Sequence, residues 1–351
     1  MSGHALRSLA VLGFALLLSA CAAGQQGAGA ALGDSATSAR QEFMADVMHS
    51  AGRVRQAVEG YDKALAARPG DALLHAKKGR ALLGLHQPEA AWAEFTTALA
   101  ASPELAAAQY GAGQALMRLG RNQEAREAFA RAVALVPTDW RSRCALGVLL
   151  LNAGRADQAR EQFLAALALP QVQPPFQGQG ETGREELLNN LGVAQVLAGD
   201  SEAAVRTFRL AMDSARNPER SANNLGLLLV RLGRQAEAFA AFRAGGNDAQ
   251  ALNNLGYALY LQGNAQKARE LFEKALDLSP KYYETAGENL KLAAQPAPTP
   301  RDGSRGAASG AGASVPAPGV DRISLTGQGG PALRFGHASL LGETGPRRWT
   351  H

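Results

Sequence analysis

Clusters of Val, Ile and Thr, the usual material of β-strands, are missing from this sequence, and aromatic residues make up only 6% of it. Ala, Leu and Gly dominate instead, so helix is the default reading and a sheet is excluded as the organising element. No dense run of Lys or Arg is interleaved with aromatics. A formal net charge of +5 fits an ordinary solvated surface, and nucleic acid is not expected as a partner. No Gly-rich phosphate loop follows a strand, and no HExxH spacing organises the histidines. His49, His75 and His86 fall in helical segments, His75 on a core face as a satisfied packing residue. No metal, cofactor or small-molecule substrate is implied, and the chain is not expected to be an enzyme. Cysteine is nearly absent: Cys21 and Cys144 are the only two. Cys144 has no basic partner set by spacing, which makes it a buried or groove thiol rather than a nucleophile. Long apolar runs are also lacking, since the stretch from Leu9 to Leu18 falls short of the ~20 residues a membrane-spanning helix needs.

That short run has another use. Arg7, the apolar stretch and the small residues after it read as a secretory signal covering residues 1–20. It ends Leu18-Ser19-Ala20-Cys21, which resembles the bacterial lipobox. By that resemblance Cys21 is lipidated after cleavage, a reaction that uses thiolate nucleophilicity and leaves the chain with a covalent lipid as its only attached group. A disulfide framework is then excluded. Two or more acyl chains, at ~0.8 kcal/mol per buried CH₂, hold a protein stably on a membrane. Ala22, where a retention signal would place Asp, favours the outer membrane, so the expected location is the periplasmic side of a bacterial outer membrane. Residues 21–37 are small and read as a flexible linker.

Length alone would suggest about two domains at ~150 residues each, but between about residues 38 and 282 the chain repeats itself. Small residues recur at Ala45, Gly79, Gly113, Gly147, Gly192, Gly226 and Gly256, in three steps of 34 followed by steps of 45, 34 and 30. In phase with them run Ala57, Ala91, Ala125, Ala159, Ala204, Ala238 and Ala268, each followed four residues later by an aromatic: Tyr61, Phe95, Phe129, Phe163, Phe208, Phe242 and Phe272. Pro69, Pro103, Pro137 and Pro280 close units, while Pro170 is displaced by one place. In residues 249–282, Leu252, Leu255, Gly256 and Leu259 share one helix face, Gly263 supplies the positive φ a helix end needs, and Ala268, Phe272 and Ala275 line a second face. Small residues let the two axes approach, and the ring fills the space between units.

This pattern resembles the tetratricopeptide repeat. The resemblance implies an all-α fold, a right-handed superhelical solenoid of tandem helix–turn–helix repeats over residues 38–295. The repeats fall at about 38–71, 72–105, 106–139, 140–173, 185–218, 219–248 and 249–282, with a capping helix at 283–295. An eleven-residue insertion, 174–184, reads as a loop at which the array is expected to bend into four units plus three. Residues 296–351, rich in Pro, Gly and Ala, read as a disordered tail.

Candidate binding residues come from an Asn-Asn-Leu-Gly quartet that occurs three times. By helical phase Asn253, Asn254, Tyr257 and Tyr260 project away from the core face. Asn189, Asn190, Val193 and Val196 do the same in unit five, and Asn223, Asn224, Leu227 and Val230 in unit six. Asn offers a donor and an acceptor to an extended peptide backbone, and the apolar neighbours could take its side chains. The competing reading has these asparagines bridging neighbouring helices. In the first four units Glu42, Asp46, Lys77, Arg80 and Gln114 occupy comparable places, with no cation set suited to clamping a C-terminal carboxylate.

Signal, lipobox, repeat array and tail together resemble the TadD-type lipoproteins of tight-adherence (Flp) pilus assembly. That resemblance implies a scaffold for proteins or peptides of an envelope complex, such as secretin or pilus components. Alternatives are a type IV pilus pilotin, an adaptor for envelope enzymes or polysaccharide export, or an enzyme or receptor with its activity in the tail.

Overall fold

The computed structural model describes residues 28–173, 180–215, 217–278 and 283–294. Within them the chain is all-α, with fifteen α-helices, one short 3-10 helix (Pro170–Val172) and no strand. In order these are α1 (Ala28–Ser50), α2 (Val54–Ala67), α3 (Ala72–Gly84), α4 (Pro88–Ala101), α5 (Ala106–Arg118), α6 (Asn122–Leu135), α7 (Trp140–Asn152), α8 (Ala156–Leu167), α9 (Gly180–Leu197), α10 (Ser201–Asp213), α11 (Glu219–Arg231), α12 (Gln235–Ala244), α13 (Asp248–Leu261), α14 (Ala265–Leu278) and α15 (Tyr283–Ala293). None of the described helices is long and apolar enough to cross a membrane. The expected signal peptide 1–20, Cys21, residues 174–179 of the insertion, Pro280 and the tail 296–351 lie outside the described residues.

Backbone contacts divide the chain into two compact units, Met1–Ala115 and Leu116–His351, with the boundary inside α5. In the first, α1 packs on α2 and α3 on α4, and α2 also meets α3. In the second, α7–α8, α9–α10, α11–α12 and α13–α14 are hairpins. Each second helix touches the first helix of the next hairpin, and first helices meet along the series α7, α9, α11, α13, α15. These are consecutive helix pairs of the expected kind, and α15 caps the last pair.

The small and aromatic positions explain the pairing. All seven in-phase rings are buried, none more than 1% exposed. In the later hairpins the ring lies against the glycine of its own first helix. A Cβ added to Gly147, Gly192, Gly226 or Gly256 would meet the ring of Phe163, Phe208, Phe242 or Phe272 at 2.4–2.8 Å. The Phe95 ring is gripped from two sides, by Gly79 in its own hairpin and by Gly111 in the next first helix, where a Cβ would stand 2.3 Å away. The ring therefore fills space within its own hairpin as well as towards the neighbour.

The ends of the helices follow local chemistry. Asp71 and Asp139, each two residues after a proline, cap α3 and α7 by accepting two backbone N–H bonds. Asn247 and Gln250 form a capping box on α13. Within each hairpin the turn residue has positive φ: Gly263 sits at +85° as expected, while His86 holds the equivalent place in the second hairpin at +58°.

Two boundaries differ from expectation. Helix α1 begins at Ala28 and not at Ser38, so the second half of the expected linker is helical. The run is Ala-rich, and Ser38, fully buried, fixes its far end by donating to the Ala64 carbonyl (2.8 Å) while accepting from Arg68 Nε (2.8 Å). Helix α9 begins at Gly180, inside the expected loop 174–184. Its early turns are held because Gly183, with no side chain, lets the Trp140 ring approach, and Val172 of the 3-10 helix is buried beside them. Consequently α9 packs on α8 and α7, and the boundary between compact units lies at residues 115 and 116.

Gly226→Ala tests the close approach. Its Cβ would press on Phe242 Cε1 at 2.4 Å, and overpacking of this kind costs about 1–3 kcal/mol. Urea denaturation should show that loss with helix content at zero urea unchanged.

Candidate partner-binding face

The face offered by the first helices α7, α9, α11 and α13 is built on a polar ladder. Asn224 Nδ2 donates to Asn189 Oδ1 (2.8 Å), Asn254 Nδ2 to Asn223 Oδ1 (3.1 Å) and Asn289 Nδ2 to Asn253 Oδ1 (2.8 Å). One rung earlier, Asn190 Nδ2 donates to Cys144 Sγ (3.6 Å). Cys144 lies three residues before Gly147, as Asn189, Asn223 and Asn253 lie three before their own glycines, so the thiol replaces an asparagine in the same register.

These contacts correct the expected orientation of the quartet. All six of its asparagines are buried, from 0% exposed at Asn253 to 9% at Asn223, and they bridge neighbouring helices. Val193, Val196, Val230 and Tyr260 are buried as well. A stacked first helix has neighbours on more than one side, namely its own second helix, the preceding second helix and two flanking first helices, so the side opposite its core face is also enclosed. Of the expected binding residues only Leu227 and Tyr257 stay half-exposed.

The open part of the face is therefore narrower. At 100° per residue, Gln250, Tyr257 and Leu261 of α13 lie on one side, as do Arg220, Leu227 and Arg231 of α11. Leu261 is 52% exposed. The sequence reading passed over Gln250, Leu261, Arg220 and Arg231, although the 3.6-residue phase from Tyr257 and Leu227 would have found them. The result is an apolar row, Leu227, Tyr257 and Leu261, with cations from α11 on either side of it along the helix.

At the α7–α9 junction Glu186 accepts from the Cys144 thiol (3.8 Å). Burial lifts the Glu186 carboxyl to about 7, against the opposing pull of Arg220 and Cys144. Burial and the Glu186 charge push the Cys144 thiol well up, so it is no thiolate at neutral pH. Among the described residues no group of three His, Cys, Asp or Glu could hold a metal. His75 is satisfied by Glu94 (2.6 Å) and the Pro69 carbonyl (2.9 Å). In the first compact unit Lys77 is spent on Glu42 and Asp46 (both 2.7 Å), while Arg68 also holds Glu42 (2.6 Å), leaving Lys77 no charge to offer a carboxylate ligand.

Two measurements check this account. Asn253→Ala removes one acceptor and orphans the buried Asn289 amide, so it should cost about 1–3 kcal/mol in a urea titration. Glu186 holds its proton in the folded state up to about pH 7, whereas the unfolded chain loses it near 4.5. Folded protein thus binds more protons across that window, and stability falls as pH rises through it. Melting temperature should drop between pH 5 and 8, and Glu186→Gln should remove most of that drop.

Comparison with known proteins agrees with the geometry. Sequence profiles of the tetratricopeptide repeat match residues 76–140 and 110–174, 186–209 and 249–282. No curated protein matches the chain. Among solved structures, a tetratricopeptide repeat protein from Parabacteroides merdae aligns over 74% of this chain and 99% of its own, with TM-score 0.52 and 16% identity. The PilF protein of Pseudomonas aeruginosa aligns over 73% and 99% (TM-score 0.44, 19% identity). YrrB, described as a TPR protein with an unusual peptide-binding site, aligns over 55% and 90% (0.42, 23%). Residues 76–174, 186–209 and 249–282 are thus matched as tetratricopeptide repeats, and the described helices pack in consecutive pairs of that kind.

Proposed function

We propose that this protein is a lipid-anchored scaffold of a bacterial envelope, held through Cys21 in the outer membrane and facing the periplasm. It takes a segment of a protein partner on the open face of α11 and α13. The observation that carries the reading is the joining of a lipobox-like Leu18-Ser19-Ala20-Cys21 to a repeat array whose first helices leave Leu261 exposed and Leu227 and Tyr257 half-exposed. Such repeats commonly serve protein–protein contact, and an apolar row with polar neighbours suits an apolar side of a peptide or helix. The system it serves is tight-adherence (Flp) pilus assembly, with the secretin or its partners as ligand. The resemblance of the whole arrangement to TadD-type lipoproteins supports this assignment. The lipid is its only attached group, and the role is binding rather than catalysis.

Two changes test the proposal separately. Cys21→Ser should move the protein from the membrane fraction to the soluble fraction; retention on membranes would end the anchor reading. Leu227→Glu with Tyr257→Ala should lower co-purification of secretin after cross-linking at least tenfold, roughly 1.4 kcal/mol or more, with melting little changed because both side chains are half-exposed. Undiminished secretin recovery would end the assignment of the face.

A further inference from the structure

The second half of α1 carries an exposed apolar stripe. Phe43 is 66% exposed, Met44 45% and Val47 41%. In the last hairpin the same register positions hold Asn254, Leu255 and Ala258, which are 8%, 7% and 4% exposed because another hairpin lies against them. Terminal repeats of a stack usually turn a polar side outward. This one presents Phe, Met and Val where a preceding hairpin would sit.

The charges around the stripe are sorted. Glu42 and Asp46, the acids of α1 beside it, point to the other flank and are bound by Arg68 and Lys77. Arg40, on the stripe, and Arg53 and Arg55, just past its end, are exposed, and none of them forms an ion pair among the described residues. An apolar strip with free cations and no free acid on the strip itself is the chemistry of a helix resting at the boundary of headgroups and acyl chains.

Chain length says which surface is within reach. Six residues lie between Cys21 and Ala28, seven residue steps that span at most ~25 Å. From there α1 runs 23 residues, about 35 Å, and carries the stripe along its second half. A bilayer holding the Cys21 lipid is therefore close by, and tethering keeps its effective concentration high enough for weak contacts to hold. A second copy would need far more area, since stable pairs bury ~800 Å² per partner and three side chains do not supply it.

We propose that the Phe43–Met44–Val47 stripe of α1 lies on the membrane that holds the Cys21 lipid, with Arg40, Arg53 and Arg55 turned to lipid phosphates. This rests on the anchor reading above. It makes α1 a second contact that fixes the first compact unit against the bilayer.

The test uses full-length lipidated protein in vesicles of phosphatidylethanolamine and phosphatidylglycerol. A polarity-sensitive nitrobenzoxadiazole label is placed on Met44→Cys or, as control, on Glu89→Cys, an exposed site of α4. Cys144 is buried and does not compete for label. The label at 44 should shift to the blue and be quenched severalfold more strongly by shallow spin-labelled lipid than the label at 89, at every protein-to-lipid ratio. A blue shift at 44 that vanishes on diluting protein in lipid indicates a second copy and overturns the proposal. Flotation with vesicles while the label at 44 stays in water overturns it and leaves the anchor standing. Failure to float overturns the anchor and this inference with it.

Discussion

A ring buried against a helix that has no Cβ at that spot is the contact on which the rest of this molecule depends. Where Gly226 faces Phe242, or Gly147 faces Phe163, any added carbon would sit well inside van der Waals contact. Two axes can come that near only if one supplies a bare backbone, and a ring that deep removes a large apolar area from water. Gly111 and Gly79 gripping Phe95 from two sides show the same device linking one hairpin to the next. Each hairpin thus leaves a surface that only another hairpin completes, and the stack grows by nearest-neighbour contact.

Stacking at constant register has a polar consequence. When an Asn-Asn pair recurs hairpin after hairpin, the second asparagine of one pair meets the first asparagine of the pair before it, and its amide N–H donates to that carbonyl oxygen. In this way Asn224 is joined to Asn189 and Asn254 to Asn223, and Asn289 of the capping helix is joined to Asn253. A slip of one residue would break every rung, so the ladder favours a single register. Where Cys144 replaces asparagine the rung lengthens to 3.6 Å and a partly buried carboxyl, Glu186, joins it. The asparagines are therefore used up within the inter-helix seam, and the proposed partner face is the narrow strip of side chains the seam does not use.

The two ends of the described array are treated differently. At one end α15 brings Asn289 onto the ladder and covers the last hairpin. At the other, α1 leaves Phe43 and Val47 exposed. The last residues of the insertion, expected as loop, are helical from Gly180 and packed, because Gly183 admits the Trp140 ring and Val172 is buried.

Much of this was written in the linear pattern. The in-phase Gly, Ala and aromatic positions determine helix pairs, because 3.6-residue periodicity puts them on facing sides. The prolines and glycines mark the turns, as Gly263 does, since backbone conformation there is a local matter. Tertiary structure decided which way Asn223, Asn224, Asn253 and Asn254 face. A helical wheel knows one buried side, whereas a helix within a stack is enclosed on several. It also decided that α9 starts at Gly180 and that the compact units part at residue 115, because both depend on side chains distant in sequence meeting in space.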